Sequence, residues 1–401
     1  KKIKEWLLPN SLGWFYSAIT EYLGFNAYTG EGKVMGLAPY GKKDLVIRKK
    51  LNKILKITDD GYKVNPNYIY FGEHEHRGRF TNKLSKLLGP PFIPGSKEYT
   101  QRHKNIAFET QWLLEDVTSH IVRVGLKKST SRNLCISGGV AMNCKMNGVI
   151  GRLSKIKGFH VFPLANDSGT ALGAALYYYQ NYKNKIPRKN NITHTYWGPQ
   201  YSNKEIENIL KAKKISYEYF DNIEKTTARE LYNGHFVGWY QGRMELGARA
   251  LGNRSILADP SNENVKDRIN SEVKYRESFR PYAPSIIDEA KGKFVKYPKN
   301  SPFMMQAFEA TELLKKEAPA VVHKDNTVRP QFVTKKANPR FYKLIKEFEK
   351  LRGIPVLLNT SFNVRGEPIV CSPDDAIRCF FGTGLDILVL GNFIIKKSGI
   401  L

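Results

Sequence analysis

Two stretches of this 401-residue chain crowd cationic side chains unusually closely. In "KYRESFRPYAPS", Lys274, Arg276 and Arg280 fall within seven positions, with Ser278 among them. A guanidinium fork grips phosphate oxygens in pairs, and an ammonium group supplies a point charge. Three cations so close repel one another unless an anion lies between them. The plain alternative is a solvated helix face, but Phe279, Pro281 and Ala283 interleave with the charges and favour a partly buried site. The second stretch, "GRMELGARALGNRSILADP", carries Gly242, Gly247 and Gly252 beside Arg243, Arg249 and Arg254, and it is neither a P-loop nor a Rossmann fingerprint. "NTSFNVRGEP" sets Asn359, Thr360, Ser361 and Asn363 directly after the apolar run "PVLL", and "TVRPQFV" adds Arg329. Small polar residues at a strand end are typical of a ligand crevice in an α/β sheet. The composition is that of a polyphosphate-binding site. Arg243 is left open between a ligand contact and an ion pair with Glu245.

Other residues invite chemistry less specifically. Gly138-Gly139 stands between a strand and a helix, where backbone can approach a ligand and the helix N-terminus favours anions; a tight connection explains it equally well. Asp167 follows a strand end in "PLANDSGTALGAAL", as a helix cap or as a ligand to a metal or a nucleotide hydroxyl. His74 and His76 in "GEHEHRG" have i, i+2 spacing in a polar loop and read as surface residues. Cys135, Cys144, Cys371 and Cys379 form no C-x-x-C pair and lie among apolar neighbours, as buried free thiols of a cytoplasmic protein would.

These residues must be carried by an α/β framework. "RNLCISGGVAMNCKMNGVIGRL" and "HVFPLANDSGTALGAALYYYQ" each read strand, turn, helix, and "KNIAFETQWLLEDVTSHIVRVGLKK" has helical apolar spacing. A polar, apolar-poor segment at 184–203 reads as a linker between two α/β halves, 1–190 and 191–401. Beyond it, "YSNKEIENILKAKK" is a helix capped by Ser202 or Asn203, "HFVGWYQ" a strand, and "NPRFYKLIKEFEKLRG" an amphipathic helix ended by Gly353. "IPVLLNTSFN" is a buried strand, "SPDDAIRCFFGTG" a helix capped by Ser372, and "LDILVLGNFII" one closing strand.

The formal net charge is +27, with the lysines scattered rather than clustered, as on a solvated basic surface. A positive field attracts phosphates, nucleotides or nucleic acid, but no RNA-reading motif accompanies it. No apolar run approaches the roughly 18–20 residues of a membrane span.

Four long, collinear stretches resemble the O-carbamoyltransferases of the nodulation and antibiotic-tailoring type: "GEGKVMGLAPYG"; "CISGGVAMNCKMNG" with "PLANDSGTALGAAL"; "GRMELGARALGNRSILADP" with "KDRINSEVKYRESFRPYAPS"; and "GIPVLLNTSFNVRGEPIVCSPDDAIRCF". The resemblance implies a partial actin-like ATPase domain, of the kind found in the tRNA-threonylcarbamoylation subunit, followed by a YrdC-like domain. It implies two reactions. Carbamoyl phosphate and ATP give carbamoyl adenylate in the second domain, and the first domain passes the carbamoyl group to a hydroxyl of a sugar, glycan or natural product. It also implies a divalent metal, iron, with magnesium accompanying ATP. Carried over residue by residue, Lys274, Arg249, Arg254 and Arg280 grip the phosphates of ATP and carbamoyl phosphate, and Arg329, Asn359 and Ser361 complete the pocket. Gly138 and Gly139 contact nucleotide in the first domain, and Asp167 binds the metal. Kinship to the threonylcarbamoyl machinery keeps a tRNA-modifying or nucleic-acid-binding reading as the alternative, beside a non-catalytic partner subunit. Family members begin with a further lobe bearing an H-x-x-x-H motif, which these 401 residues lack. The expectation is that this lobe precedes the chain, comes from a separate polypeptide, or is lost together with transfer. The family also has glycine where Asn326 stands.

Overall fold

The helical spacing of the first half becomes the 27-residue helix Gln101–Lys127, whose buried stripe includes Ile106, Leu113, Leu114 and Val117. The Thr100 hydroxyl caps it by accepting from the His103 N–H. The computed structural model describes residues 2–72, 78–96, 98–182 and 192–397, so His74 and His76 lie outside the described residues. The chain divides into two units, Lys1–Asn166 and Asp167–Leu401. The expected boundary at 190 and 191 falls on undescribed residues, and the helix Thr170–Tyr182 is grouped with the second unit.

In the first unit, β1 (Leu55–Thr58) and β2 (Gly61–Val64) pair antiparallel, and β3 (Asn133–Ile136) and β4 (Gly158–Val161) pair parallel. The crossover between β3 and β4 runs through the glycine turn and the helix Cys144–Gly151, which the Asn143 side chain caps at Met146 N–H. The cysteine expectation holds in part. All four thiols are free and Cys144 and Cys379 are buried, but Cys135 is exposed and Cys371 only half-buried. Cys135 sits on β3, whose residues alternate between exposed and half-buried because its sheet has just two described strands.

The second unit holds an eight-stranded mixed sheet among its described residues. Its strands are β5 (Glu218–Tyr219), β6 (Val237–Tyr240), β7 (Arg254–Ala258), β8 (Ala283–Ile287), β11 (Gln331–Val333), β12 (Val356–Ser361), β13 (Ile387–Leu390) and β14 (Phe393–Lys396). The order is β11-β8-β12-β7-β6-β13-β14-β5, with β9 (Phe308–Glu309) and β10 (Thr327–Val328) paired separately. Every residue of β6, β7, β8 and β13 is buried, as in a sheet covered on both faces. The helix Pro339–Arg352, capped by Asn338 and closed by left-handed Gly353, buries Phe341, Leu344, Ile345 and Phe348 and packs on the helix Ile223–Tyr232. Both expected serine caps are present as reciprocal capping boxes, Ser202 with Glu205 and Ser372 with Asp375.

One element differs. "LDILVLGNFII" is not a single strand but the hairpin β13–β14, turned at Gly391 with φ 57° and Asn392. Its unbroken apolar run hides the turn because both strands are buried, and the Gly-Asn pair is the signal of a two-residue hairpin loop. Asn326 stands in the left-handed region at φ 60°, which asparagine tolerates and glycine occupies without steric cost.

Candidate active site

Sheet register brings three separate segments to one end of the large sheet. Tyr240 on β6 pairs with Arg254 on β7, and Ser255 pairs with Ser361 on β12. The four residues Val356–Asn359 of β12 are buried, while Thr360 and Ser361 are half-buried as the strand emerges. Facing this end is a π-helical turn, Ile269–Val273, anchored by buried Ile269 and Val273 and leading straight into Lys274. Such turns recur at functional sites because they redirect the side chains that follow. Tyr275 comes next at φ 45°, an unusual conformation for a residue with a Cβ.

Lys274 is 3% exposed, and no carboxylate is hydrogen-bonded to it. Its Nζ donates to the Ser361 carbonyl, to the Asn363 carbonyl at 2.9 Å and to Asn363 Oδ1 at 2.7 Å, with Ser361 Oγ at 3.3 Å. Ser361 Oγ in turn donates to Asn363 Oδ1 at 2.7 Å. Burial, reinforced by the charges of Arg276 and Arg280, pulls the Lys274 ammonium well below its ordinary range. Burial likewise pushes Arg280 down to about 10, helped by Arg276 and Arg249 and opposed by Glu277. The nearest counter-charge is Glu277, 3.6 Å from Arg280 and 3.7 Å from the exposed Arg365. Lys274, Arg276, Arg280 and Arg249 thus lie close enough for their charges to act on one another. The charges of Arg276 and Arg280 disfavour a protonated Lys274, and those of Arg276 and Arg249 disfavour a charged Arg280, as expected where an anion completes a site.

The remaining expected residues are placed differently. Arg254 is fully buried and stacks 3.6 Å over the Tyr240 ring. Its two terminal nitrogens donate to the carbonyls of Gln241 at 2.7 Å, Asn253 at 3.0 Å, Pro199 at 3.2 Å and Gly242 at 3.3 Å. It braces the glycine–arginine loop from within. That loop also walls a polar cleft of about 400 Å³ lined by Tyr201, Gln241, Gly242, Asn253 and Arg340 among others. Glu245 stabilises the same loop. One of its oxygens accepts from the N–H groups of Leu251 at 2.6 Å and of Asn253 and Arg254 at 3.2 Å, while Arg243 donates to the Gly198 carbonyl at 3.3 Å. The loop must pass close to a helix, because a Cβ on Gly252 would lie 2.2 Å from the Phe341 ring. Asn359 is buried beneath the loop, donating to Ser285 Oγ at 2.9 Å and to the Ala250 carbonyl at 3.3 Å. Arg329 is half-buried after β10 and approaches the Met304 carbonyl at 3.5 Å.

In the first unit, Gly138 has φ 95° and donates to the Ala165 carbonyl at 2.7 Å, and space is open where either glycine's Cβ would point. Asp167 is exposed and begins a short 3-10 turn, its carbonyl accepting from Thr170 Oγ1 at 2.7 Å. Among the described residues no group of three His, Cys, Asp or Glu side chains could hold a metal ion. A lone carboxylate is not a metal site, so the described residues do not fit the implied iron. The spacing argument missed Asn270, which holds Arg276. Its signal is faint: an asparagine inside an otherwise helical run.

Two family models match the chain, "Carbamoyltransferase N-terminus" over residues 1–176 and "Carbamoyltransferase C-terminus" over residues 228–397. Nodulation protein NolO of Bradyrhizobium diazoefficiens is 39% identical over 97% of this chain and 69% of its own length. An uncharacterized Synechocystis protein is 39% identical over 97% of this chain and 68% of its own. The 3'-hydroxymethylcephem-O-carbamoyltransferase of Amycolatopsis lactamdurans is 32% identical over 65% of this chain and 48% of its own. Relatives matched along 97% of this chain are covered over 56% to 73% of their own length. Among solved structures, full-length HypF in its phosphate- and nucleotide-bound form has a TM-score of 0.33 at 15% identity, over 61% of this chain and 37% of that one.

Proposed function

The chain belongs to the carbamoyltransferase family, and from that premise we propose that its second unit is a YrdC-like domain forming carbamoyl adenylate from carbamoyl phosphate and ATP. The observation that carries the proposal is the cationic cluster: buried Lys274 and Arg280 lie within the fields of Arg276 and Arg249, with Glu277 as the nearby counter-charge. In the reaction water hydrolyses carbamoyl phosphate to carbamate and inorganic phosphate, and a carbamate oxygen then attacks the α-phosphorus of ATP. An O–P bond forms as the bond to pyrophosphate breaks. Negative charge builds on the phosphoryl oxygens and on the departing pyrophosphate, and fixed cations stabilise it without reorganising. Lys274, whose N–H donors are taken up by the Ser361 and Asn363 oxygens, supplies a fixed positive charge. Arg276, Arg280 and Arg249 supply the surrounding positive field. Arg254, Glu245 and Asn359 act at one remove by fixing the loop that carries Arg249.

Transfer of the carbamoyl group to an acceptor hydroxyl is assigned to the longer polypeptide that the relatives represent, with the first unit contributing the Gly138-Gly139 turn; Asp167, at the start of the second unit, is the carboxylate that the resemblance implies for a metal. The cephem relative's name supports an alcohol on a small molecule as the acceptor class. The test is carbamoyl-phosphate-dependent exchange of labelled pyrophosphate into ATP. Exchange that requires carbamoyl phosphate is the expected result. An active, folded preparation that exchanges equally well without it would refute the assignment.

A further inference from the structure

Asn270 lies on the π-helical turn four residues before Lys274 and is 3% exposed. Its Oδ1 accepts two hydrogen bonds, from Tyr282 Oη at 2.7 Å and from Arg276 Nε at 2.8 Å. Its backbone carbonyl accepts from the Arg276 N–H at 3.1 Å, and its Nδ2 reaches the Arg280 carbonyl at 3.5 Å. One buried amide therefore ties together both arginines that flank Glu277. The Arg276 guanidinium carbon lies 4.6 Å from the centre of the Tyr282 ring, so the group is held at one nitrogen and stacked on one face. The guanidinium also hydrogen-bonds with the Tyr282 side chain, and among the described residues no carboxylate forms an ion pair with it.

We infer that Asn270 is a positioning residue that aims Arg276 at the anion held beside Lys274. Guanidinium carries five N–H donors in a fixed plane. Anchoring the guanidinium to two neutral oxygens, Asn270 Oδ1 and the Tyr282 hydroxyl, fixes that plane and leaves the other donors and the full charge for the ligand. A carboxylate in the same place would make the same contact but cancel the charge, so an amide is the acceptor the task requires. Holding the side chain before the ligand arrives also removes rotamer freedom that binding would otherwise have to quench. The inference rests on the cationic cluster being a phosphate site.

The test is a double-mutant cycle on pyrophosphate and ATP affinity, measured by calorimetry on the full chain as wild type, Asn270→Ala, Arg276→Ala and the double variant. Each single variant is expected to bind pyrophosphate about tenfold more weakly, and the double variant no more weakly than the weaker-binding single one. Losses that multiply in the double variant would show that Asn270 acts independently of Arg276 and overturn the inference. Asn270→Asp, which keeps the acceptor oxygen, guards against a folding defect. It should retain the shifted Arg276 Nε–H signal in a nitrogen-15 spectrum yet lose affinity, whereas Asn270→Ala should lose the signal. An unchanged Nε–H signal in Asn270→Ala, or wild-type affinity in Asn270→Asp, also overturns it. If the wild type binds neither ligand, the phosphate-site reading falls and the inference with it. If it binds and the cycle is multiplicative, the inference alone falls.

Discussion

Replacing Lys274 with methionine separates what this side chain does for the ligand from what it does for the fold. Methionine matches the length and apolar stem of lysine and removes the ammonium. In the free protein the ammonium is buried and donates only to neutral oxygens of Ser361 and Asn363, and its burial disfavours the charged form. Two effects on stability therefore oppose one another. The variant escapes the desolvation of a buried cation, but the two carbonyls and Asn363 Oδ1 lose a donor, at about 1–3 kcal/mol for each acceptor left unsatisfied. Water can reach part of the half-buried Ser361–Asn363 turn, so the net change in unfolding free energy is expected to stay within about 2 kcal/mol. Ligand binding has no such offset. Removing a buried positive charge beside phosphate costs about as much as a charge-assisted contact, about 1.5–3 kcal/mol, and weakens ATP binding by roughly ten- to a hundredfold. Pyrophosphate exchange should fall further, because charge on the phosphoryl oxygens grows toward the transition state. Calorimetric titration with ATP, isotope exchange and urea unfolding read the three quantities separately. A Lys274→Met variant that unfolds like the wild type and retains its ATP affinity and exchange rate would refute the placement of the site.

Two further outcomes follow from the same geometry. Arg254→Ala should destabilise the second unit by at least about 3 kcal/mol, because it strands several buried carbonyls and removes a stacked cation; a urea midpoint close to wild type would contradict the bracing role. For pH, Lys274 and Arg280 both hold their protons less tightly folded than unfolded. The unfolded chain then binds more protons, so these two groups make the ligand-free protein more stable as pH rises through their folded values. Pyrophosphate affinity should move the other way, weakening as pH climbs toward about 10, where Arg280 loses its charge. Affinity flat to pH 10 would separate the anion site from these two groups.

Much of this was legible before any coordinates. Ser202 and Ser372 announced their helices because a serine followed three residues later by an acid satisfies orphan N–H groups locally. The closeness of Lys274, Arg276 and Arg280 was legible too, because cations so near in sequence are near in any fold, and their fields do act on one another. The hairpin inside "LDILVLGNFII" was not legible, since burial on both faces erases the alternation that separates two strands from one.

Arg249, Arg254 and Arg280 look alike in the sequence, and residue type there marks only that anions or carbonyls must be nearby. Tertiary structure divides their roles. The antiparallel register of β6 and β7 sets Arg254 against Tyr240 and four carbonyls, while the π-turn at Ile269–Val273 carries Lys274 onto Ser361 and holds Arg276 against Asn270. The physical reason is that a guanidinium group takes whichever oxygens surround it. Composition determines that such a group is present, and only the packing of distant strands decides whether those oxygens belong to the backbone or are left for a ligand to supply.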